Sequence, residues 1–150
     1  MPISGGFTET NNGWLGSETR VKILGKDFLA DDDLTTVGGP FTDELNFTGA
    51  IQVGSTSQEL YAYVNIPTGY KATEIRINCA GTIQVRVWVC DINGSSGTEI
   101  SNTGATQYTN AVLALTETAS TDSNYLLIFA YTQNTTAELI YGGYMTIEKL

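Results

Sequence analysis

Acidic side chains have the clearest potential for chemistry in this chain. Asp27 and Asp31-Asp32-Asp33 could bind calcium, and Asp43-Glu44, Asp91 and Glu99 could supply the two carboxylates of a glycoside hydrolase. The aspartate run lacks the spaced ligands, the glycine and the distal glutamate of an EF-hand loop. Carboxylate spacing alone does not define a hydrolase, which usually has an aromatic-lined cleft on a larger scaffold. We therefore expect a solvated acidic loop, no bound metal and no catalytic residues.

The absence of histidine restricts the possible enzyme classes. None of the 150 residues is histidine, which is the commonest general base and metal ligand. Ser-His-Asp triads, HExxH zinc sites and Cys-His catalysis are therefore impossible within this chain. The glycine-rich stretch Val37-Gly38-Gly39-Pro40 matches neither a P-loop nor a dinucleotide fingerprint. The sequence predicts a protein that is not an enzyme and has no cofactor.

The charge balance argues against nucleic acid and membrane partners. The chain has 7 basic and 16 acidic residues, a formal net charge of −9, and its cations are scattered. Phosphate backbones and anionic lipid surfaces both need clustered lysine and arginine. The longest nearly apolar run, Tyr125 to Tyr131, has seven residues, whereas a membrane helix needs about 20. The N-terminus lacks a signal-peptide pattern, so we expect synthesis in the cytoplasm.

Aromatic side chains are the best candidates for contact with a partner. Tyr61, Tyr63 and Trp88 alternate with apolar residues, which places them on the outward faces of predicted strands. They could form a protein interface, pack beneath another layer, or stack on sugars. Phe7 and Trp14 lie in a Gly/Asn/Thr-rich segment, which is either a disordered tail or an arm docked on a neighbouring subunit. These five residues are the predicted interface.

Alternating polar and apolar residues predict strands over most of the chain. The pattern begins at Arg20-Val21-Lys22-Ile23 and is clearest from Glu59 to Ile66. Asn124 to Thr132 has apolar residues on both faces, as expected for a central strand covered on both sides. No window supports a long helix. Further strands are predicted with Ile75, Ile77 and Cys79, with Ile83, Val85, Val87 and Val89, and from Ala111 to Thr118 on the same grounds.

Turn signals separate these strands. Pro67-Thr68-Gly69 predicts a turn, Ala80-Gly81-Thr82 predicts a hairpin, and Gly142-Gly143 predicts a turn into a last strand from Tyr144 to Lys149. The hairpin would hold Cys79 and Cys90 roughly 23 Å apart, too far for a disulfide. The sequence therefore predicts an arm at residues 1–18 and a single all-β domain at 19–150. We expect an antiparallel, jelly-roll-like β-sandwich with two free thiols.

Several strand and turn segments resemble those of a known group of proteins. From about residue 20 to 150 the chain resembles small virion structural proteins from tailed phages of aquatic bacteria, whereas Met1 to Ser17 lies outside the match. The similar segments are Ile66–Thr73, Asp91–Asn93, Gly97–Ile100, Asn124–Ile128 and Gly142–Ile147. The resemblance implies a β-sandwich that decorates the head or forms part of a fibre, and it implies no catalytic residues.

The resemblance and the composition lead to one expected function and one alternative. The expected function is a capsid decoration or cement protein on the outer surface of the virion, bridging neighbouring copies of the major capsid protein. A homotrimer would suit a threefold lattice position, and weak contacts would suffice when several subunits bind together. The alternative is a head-fibre or tail-fibre domain that binds glycans on the host cell.

Overall fold

The computed structural model describes residues 19–30, 42–43, 51–52, 59–101, 107–108, 110–132 and 138–150. Phe7, Trp14 and the predicted arm, like Asp31 to Asp33, lie outside this part of the chain. The strands are β1 (Arg20–Leu24), β2 (Leu29–Ala30), β3 (Thr42–Asp43), β4 (Ile51–Gln52), β5 (Glu59–Val64), β6 (Tyr70–Ala80), β7 (Ile83–Asp91), β8 (Thr98–Glu99), β9 (Gln107–Tyr108), β10 (Val112–Ala119), β11 (Asn124–Thr132) and β12 (Leu139–Lys149).

The strands form two antiparallel sheets of six strands each. In sheet A the order is β10-β6-β12-β4-β3, and β1 pairs with β12 beside β4. In sheet B the order is β2-β5-β11-β7-β8, and β9 also pairs with β7. The helical structure of the described residues is one 3-10 turn, Gly25–Asp27, in which the Asp27 carboxylate accepts the Leu24 N–H at 2.8 Å. The prediction of an all-β antiparallel sandwich is confirmed.

The pairing pattern gives the fold its particular class. The strand pairs are nested along the sequence, from the outermost pair to the innermost. They are β1 with β12, β5 with β11, β6 with β10, and β7 with β8 and β9. These nested pairs alternate between the sheets, as when one long hairpin is rolled into a two-layer sandwich. This topology is a jelly roll.

The sandwich is held together by the apolar residues that alternate along each strand. Leu60 and Ala62 of β5 face Ile75 of the other sheet's strand β6 across a core in which all three are fully buried. Each large side chain removed from water in this way contributes about 1.5–3 kcal/mol. Central strand β11 supplies Leu126, Ile128 and Ala130 to the core. The inward faces predicted from the alternation are therefore confirmed.

The predicted turn at Gly142-Gly143 is wrong. Strand β12 runs through both glycines, with an irregularity in its pairing to β6 between Ile140 and Gly142. Gly142 has φ +122°, and a Cβ at Gly143 would collide with the backbone oxygen of Arg76 on the neighbouring strand. The glycines therefore permit a bulge and a close backbone approach, which a strand interior allows only where the side chain is missing.

The predicted hairpin at Ala80-Gly81-Thr82 is a corner between the sheets. Strand β6 belongs to sheet A and β7 to sheet B, so the chain crosses the sandwich at Gly81, where φ is +91°. Cys79 and Cys90 are both free, as predicted. Burial raises the pKa of the Cys79 thiol, as is typical of a cysteine that packs as an apolar filler.

Candidate functional site

The outward side of sheet B carries an unusual density of aromatic side chains. Direct cross-strand pairing places Phe129 between Tyr61 and Arg86, and Leu127 between Tyr63 and Trp88. We call this surface the aromatic face. It comprises Tyr61, Tyr63, Trp88, Tyr125, Leu127, Phe129 and Tyr131.

The rings of the aromatic face support one another. Phe129 lies at the centre, with its ring centroid 5.3 Å from that of Tyr61, 5.9 Å from Trp88 and 6.2 Å from Tyr131. Tyr63 and Tyr125 form a separate pair at 5.9 Å. Aromatic contacts of this kind add about 0.5–1.5 kcal/mol each beyond the area that they bury. Each ring is therefore held in place by its neighbours, which leaves a preformed surface.

A shallow depression of about 430 Å³ opens in the aromatic face. Its volume is within the range of pockets that take small ligands. Aromatic rings line it together with the charged side chains of Glu59 and Arg86. The full lining is Glu59, Tyr61, Arg86, Trp88, Cys90, Gly97, Leu127 and Phe129.

A chain of hydrogen bonds fixes Arg86, the cation that lines the depression. The Val87 N–H donates to the Ser101 hydroxyl at 3.3 Å, and this hydroxyl donates to Glu99 at 2.7 Å. Glu99 accepts two hydrogen bonds from Arg86, at 2.9 and 2.5 Å, and the guanidinium lies 4.8 Å above the Trp88 ring. The hydrogen bonds from Arg86, followed by the one from Ser101, hold the pKa of Glu99 below its ordinary value. A backbone-anchored network therefore positions an ionised pair beside an aromatic ring.

The candidate catalytic carboxylates have structural roles where the structure describes them. Asp91 accepts hydrogen bonds from the Ser123 hydroxyl at 2.7 Å and the Asn93 N–H at 2.7 Å, which lower its pKa. The pKa of Glu99 is lowered as well, whereas a glycosidase needs one carboxyl with a raised pKa to act as the acid. Glu44 and the side chain of Asp43 lie outside the described residues. Of the carboxylates that were considered for catalysis, Asp91 therefore holds a turn and Glu99 an ion pair.

The described residues hold neither a metal-binding cluster nor a membrane-spanning helix. They contain no group of three or more His, Cys, Asp or Glu side chains placed to hold a metal ion. No helix in this part of the chain has the length and apolar character that a membrane span requires.

The three interface candidates that the structure describes differ in their exposure and in whether they line the depression. Tyr63 is 59% exposed, whereas Tyr61 and Trp88 are half-buried and line the depression. Leu29 of β2 pairs with Tyr61 and is 58% exposed, so it extends the aromatic face at the edge of sheet B. Phe7 and Trp14 lie outside the described residues.

Sequence reasoning did not identify Phe129 and Arg86 as parts of the site. Phe129 was assigned to a covered face of a central strand, and Arg86 was the polar member of an alternating pair. Each lies on the outward face of its strand, as the alternation of polar and apolar residues along the strand indicates. The two become neighbours because β7 pairs with β11. The spacing of residues in the sequence does not predict which strands pair.

The chain matches no protein-family model, and it matches no curated protein sequence at a significant level. The class of protein is therefore set by the fold, a jelly-roll β-sandwich with a preformed aromatic face.

Proposed function

We propose that this protein is a structural component of a phage virion, a decoration protein that binds the major capsid protein on the outer surface of the head. The observation that carries the proposal is the exposure of large apolar side chains at one edge of a jelly-roll sandwich. Leu29 and Tyr63, on neighbouring strands β2 and β5, are each more than half exposed. We call these two residues the apolar edge.

The fold and the carboxylate chemistry support a binding role over catalysis. Jelly rolls are common in viral capsid proteins, although a fold alone does not define a function. Asp91 and Glu99 are both held ionised by hydrogen bonds, so neither is suited to donate a proton near neutral pH. Exposed tyrosine and leucine beside a rigid sheet are typical of the apolar centre of a protein interface. The resemblance to phage virion proteins indicates the partner.

Capsid binding by an edge variant tests the proposal. We expect purified protein to bind expanded phage capsids that lack it and to raise their temperature of disruption. The double variant Leu29→Ser/Tyr63→Ser should bind at least about tenfold more weakly, because it removes the two exposed apolar contacts. Occupancy per capsid can be measured by sedimentation and mass spectrometry.

The matched control is Val112→Ser. Val112 is also an exposed apolar residue, 45% exposed, but it stands on β10 at the edge of sheet A. It should leave occupancy unchanged. Equal loss with both variants would indicate nonspecific adhesion, and absence of capsid binding by the unmodified protein would refute the decoration role.

A head-fibre or tail-fibre domain that binds host glycans is the second candidate. The depression in the aromatic face is the observation that favours it. Copy number distinguishes the two roles, because a decoration protein covers the lattice in hundreds of copies whereas a fibre is present in a few dozen or fewer. Quantitative mass spectrometry of purified virions would measure it. Either role is compatible with the homotrimer that we propose.

A further inference from the structure

We infer that the depression between β5, β11, β7 and β8 is a binding site for a neutral carbohydrate. This inference deepens the second candidate function, since it names the class of ligand that the depression binds. It does not depend on the decoration role, because neither residue of the apolar edge lines the depression. It rests on three features of the site: its aromatic lining, its immobilised hydrogen-bonding groups and its charge balance.

The lining presents the type of surface that a sugar ring requires. A pyranose has an apolar face of C–H groups and a rim of hydroxyl groups. Tyr61, Trp88 and Phe129 offer aromatic surface on three adjacent strands, and Phe129 contacts both of the other rings. The mutual packing of these rings reduces the conformational entropy lost when a ligand stacks on them.

The polar groups beside the rings are also fixed before any ligand arrives. Arg86 is paired with Glu99 through two hydrogen bonds, and Glu99 is held in turn by Ser101, which is 8% exposed. The side chain of Arg86 is still 33% exposed to solvent, and that of Glu99 is 26% exposed. Arg86 lines the depression, so its N–H groups that do not bond Glu99 can reach sugar hydroxyl groups there. Such support by surrounding hydrogen bonds is typical of a binding site.

The charge balance selects among carbohydrates. The two charged side chains that line the depression, Glu59 and Arg86, sum to zero. Glu99, the ion-pair partner of Arg86, brings the formal charge of the group to −1, on a chain whose net charge is −9. Sulfated and uronic-acid polymers would be repelled, since they need cations that are free of a carboxylate partner. The geometry and charge therefore favour neutral hexoses or N-acetylhexosamines.

Titration with neutral and anionic saccharides tests the inference. The probes are maltotriose, cellotriose and chitotriose as neutral ligands, heparin as an anionic one, and a leucine-rich neutral peptide as the competing class of ligand. We expect at least one neutral trisaccharide to shift the indole N–H resonance of Trp88 in a saturable manner, whereas heparin and the peptide do not. Saturation by heparin or the peptide with no response to the trisaccharides would overturn the assignment, as would silence with all probes.

Substitutions at Trp88 separate stacking from simple apolar contact. Trp88→Leu should weaken trisaccharide binding about tenfold, equivalent to about 1.4 kcal/mol, whereas Trp88→Phe should keep most of it. The matched control is Tyr144→Leu, since Tyr144 is a half-buried ring on sheet A with Arg20 4.1 Å from its centroid. It should change the affinity less than about twofold. Unchanged affinity in Trp88→Leu would refute the site.

A second variant keeps the test decisive if Trp88→Leu does not fold. Replacing both partners by Arg86→Met/Glu99→Met removes the hydrogen-bonding groups and retains the apolar volume, a change that folds often tolerate. It should abolish trisaccharide binding while the protein still binds capsids. Loss of capsid binding with retained sugar binding would refute this site, and failure of capsid binding alone in the unmodified protein would refute only the decoration role.

Discussion

At the scale of single residues, Gly143 is under the tightest steric constraint of the described glycines. A Cβ at this position would overlap the backbone oxygen of Arg76 and approach the Ile77 Cα to 3.0 Å. Backbone atoms cannot move aside as a flexible side chain can. We expect Gly143→Ala to lower the free energy of unfolding by about 3 kcal/mol or more, the upper range for overpacking. Urea denaturation would measure this change.

Gly94→Ala is the control for this substitution. A Cβ there would meet its nearest atom, the Asp91 Cβ, at an ordinary contact distance of 3.5 Å. Its stability should lie within about 0.5 kcal/mol of the parent protein. Similar losses in both variants would indicate a general effect of replacing glycine by alanine. The loss in Gly143→Ala could then not be attributed to the close approach of the Arg76 backbone.

The ion pair between Arg86 and Glu99 predicts a pH dependence. Arg86 lowers the pKa of Glu99 in the folded protein. The pair therefore stabilises the fold fully above the unfolded glutamate pKa of about 4.3, and this contribution is lost as the pH falls through the lower folded value. We expect the free energy of unfolding to fall as the pH decreases below about 4. Glu99→Gln should be less stable at neutral pH and show a shallower decline, measured by urea denaturation at each pH.

Asp122→Asn is the control for the decline in stability at acid pH. Asp122 is an exposed carboxylate in the turn between β10 and β11, outside the Arg86–Glu99 pair. Asp122→Asn therefore removes a carboxylate without breaking that pair, and its acid decline should stay closer to that of the parent than the decline of Glu99→Gln. If the free energy of unfolding of Glu99→Gln varies with pH in parallel with that of the parent, other carboxylates control acid unfolding.

At the scale of elements, the position of each strand in its sheet predicts its local stability. Strand β11 is paired along both edges, with β5 and β7, whereas β8 pairs through two residues at the edge of the sheet. We expect the amides of Leu126, Ile128 and Ala130 to exchange only through global unfolding. The amides of Thr98 and Glu99 should exchange at least about a hundredfold faster. Hydrogen exchange followed by NMR would measure both, and equal rates would contradict this order.

The elements also show where sequence reasoning succeeds and where it stops. The alternation along β5 and β7 correctly predicted which side chains face the core, because burial on one face imposes a two-residue period. Gly142-Gly143 was misassigned because a turn and a bulge against a neighbouring strand have the same local signature. The depression could not be predicted, since Phe129 and Arg86 become neighbours only through pairing across many residues.

At the scale of the whole molecule, the charges are divided unequally between the two sheets. Five of the seven cations, Arg20, Lys22, Lys71, Arg76 and Lys149, stand on strands of sheet A. Among the described strands of sheet B, Arg86 is the cation, and Glu99 neutralises it. Glu59 also lines the depression, so these three charged groups together carry a formal charge of −1 on a molecule of net charge −9. A charged capsid and a neutral sugar should therefore be distinguishable by how their affinities for this acidic protein respond to salt.

Salt should affect capsid binding and sugar binding differently. We expect the capsid surface to be basic, because the protein that binds it carries a net charge of −9. The long-range attraction between the two weakens as the Debye length falls from about 30 Å at 0.01 M salt to about 8 Å at 0.15 M. A neutral sugar has no net charge to screen. Between these salt concentrations we expect capsid affinity to fall several-fold while trisaccharide affinity changes by less than about twofold. Sedimentation and NMR titration would measure the two affinities, and a strong salt dependence of sugar binding would mean that the ligand of the depression is ionic.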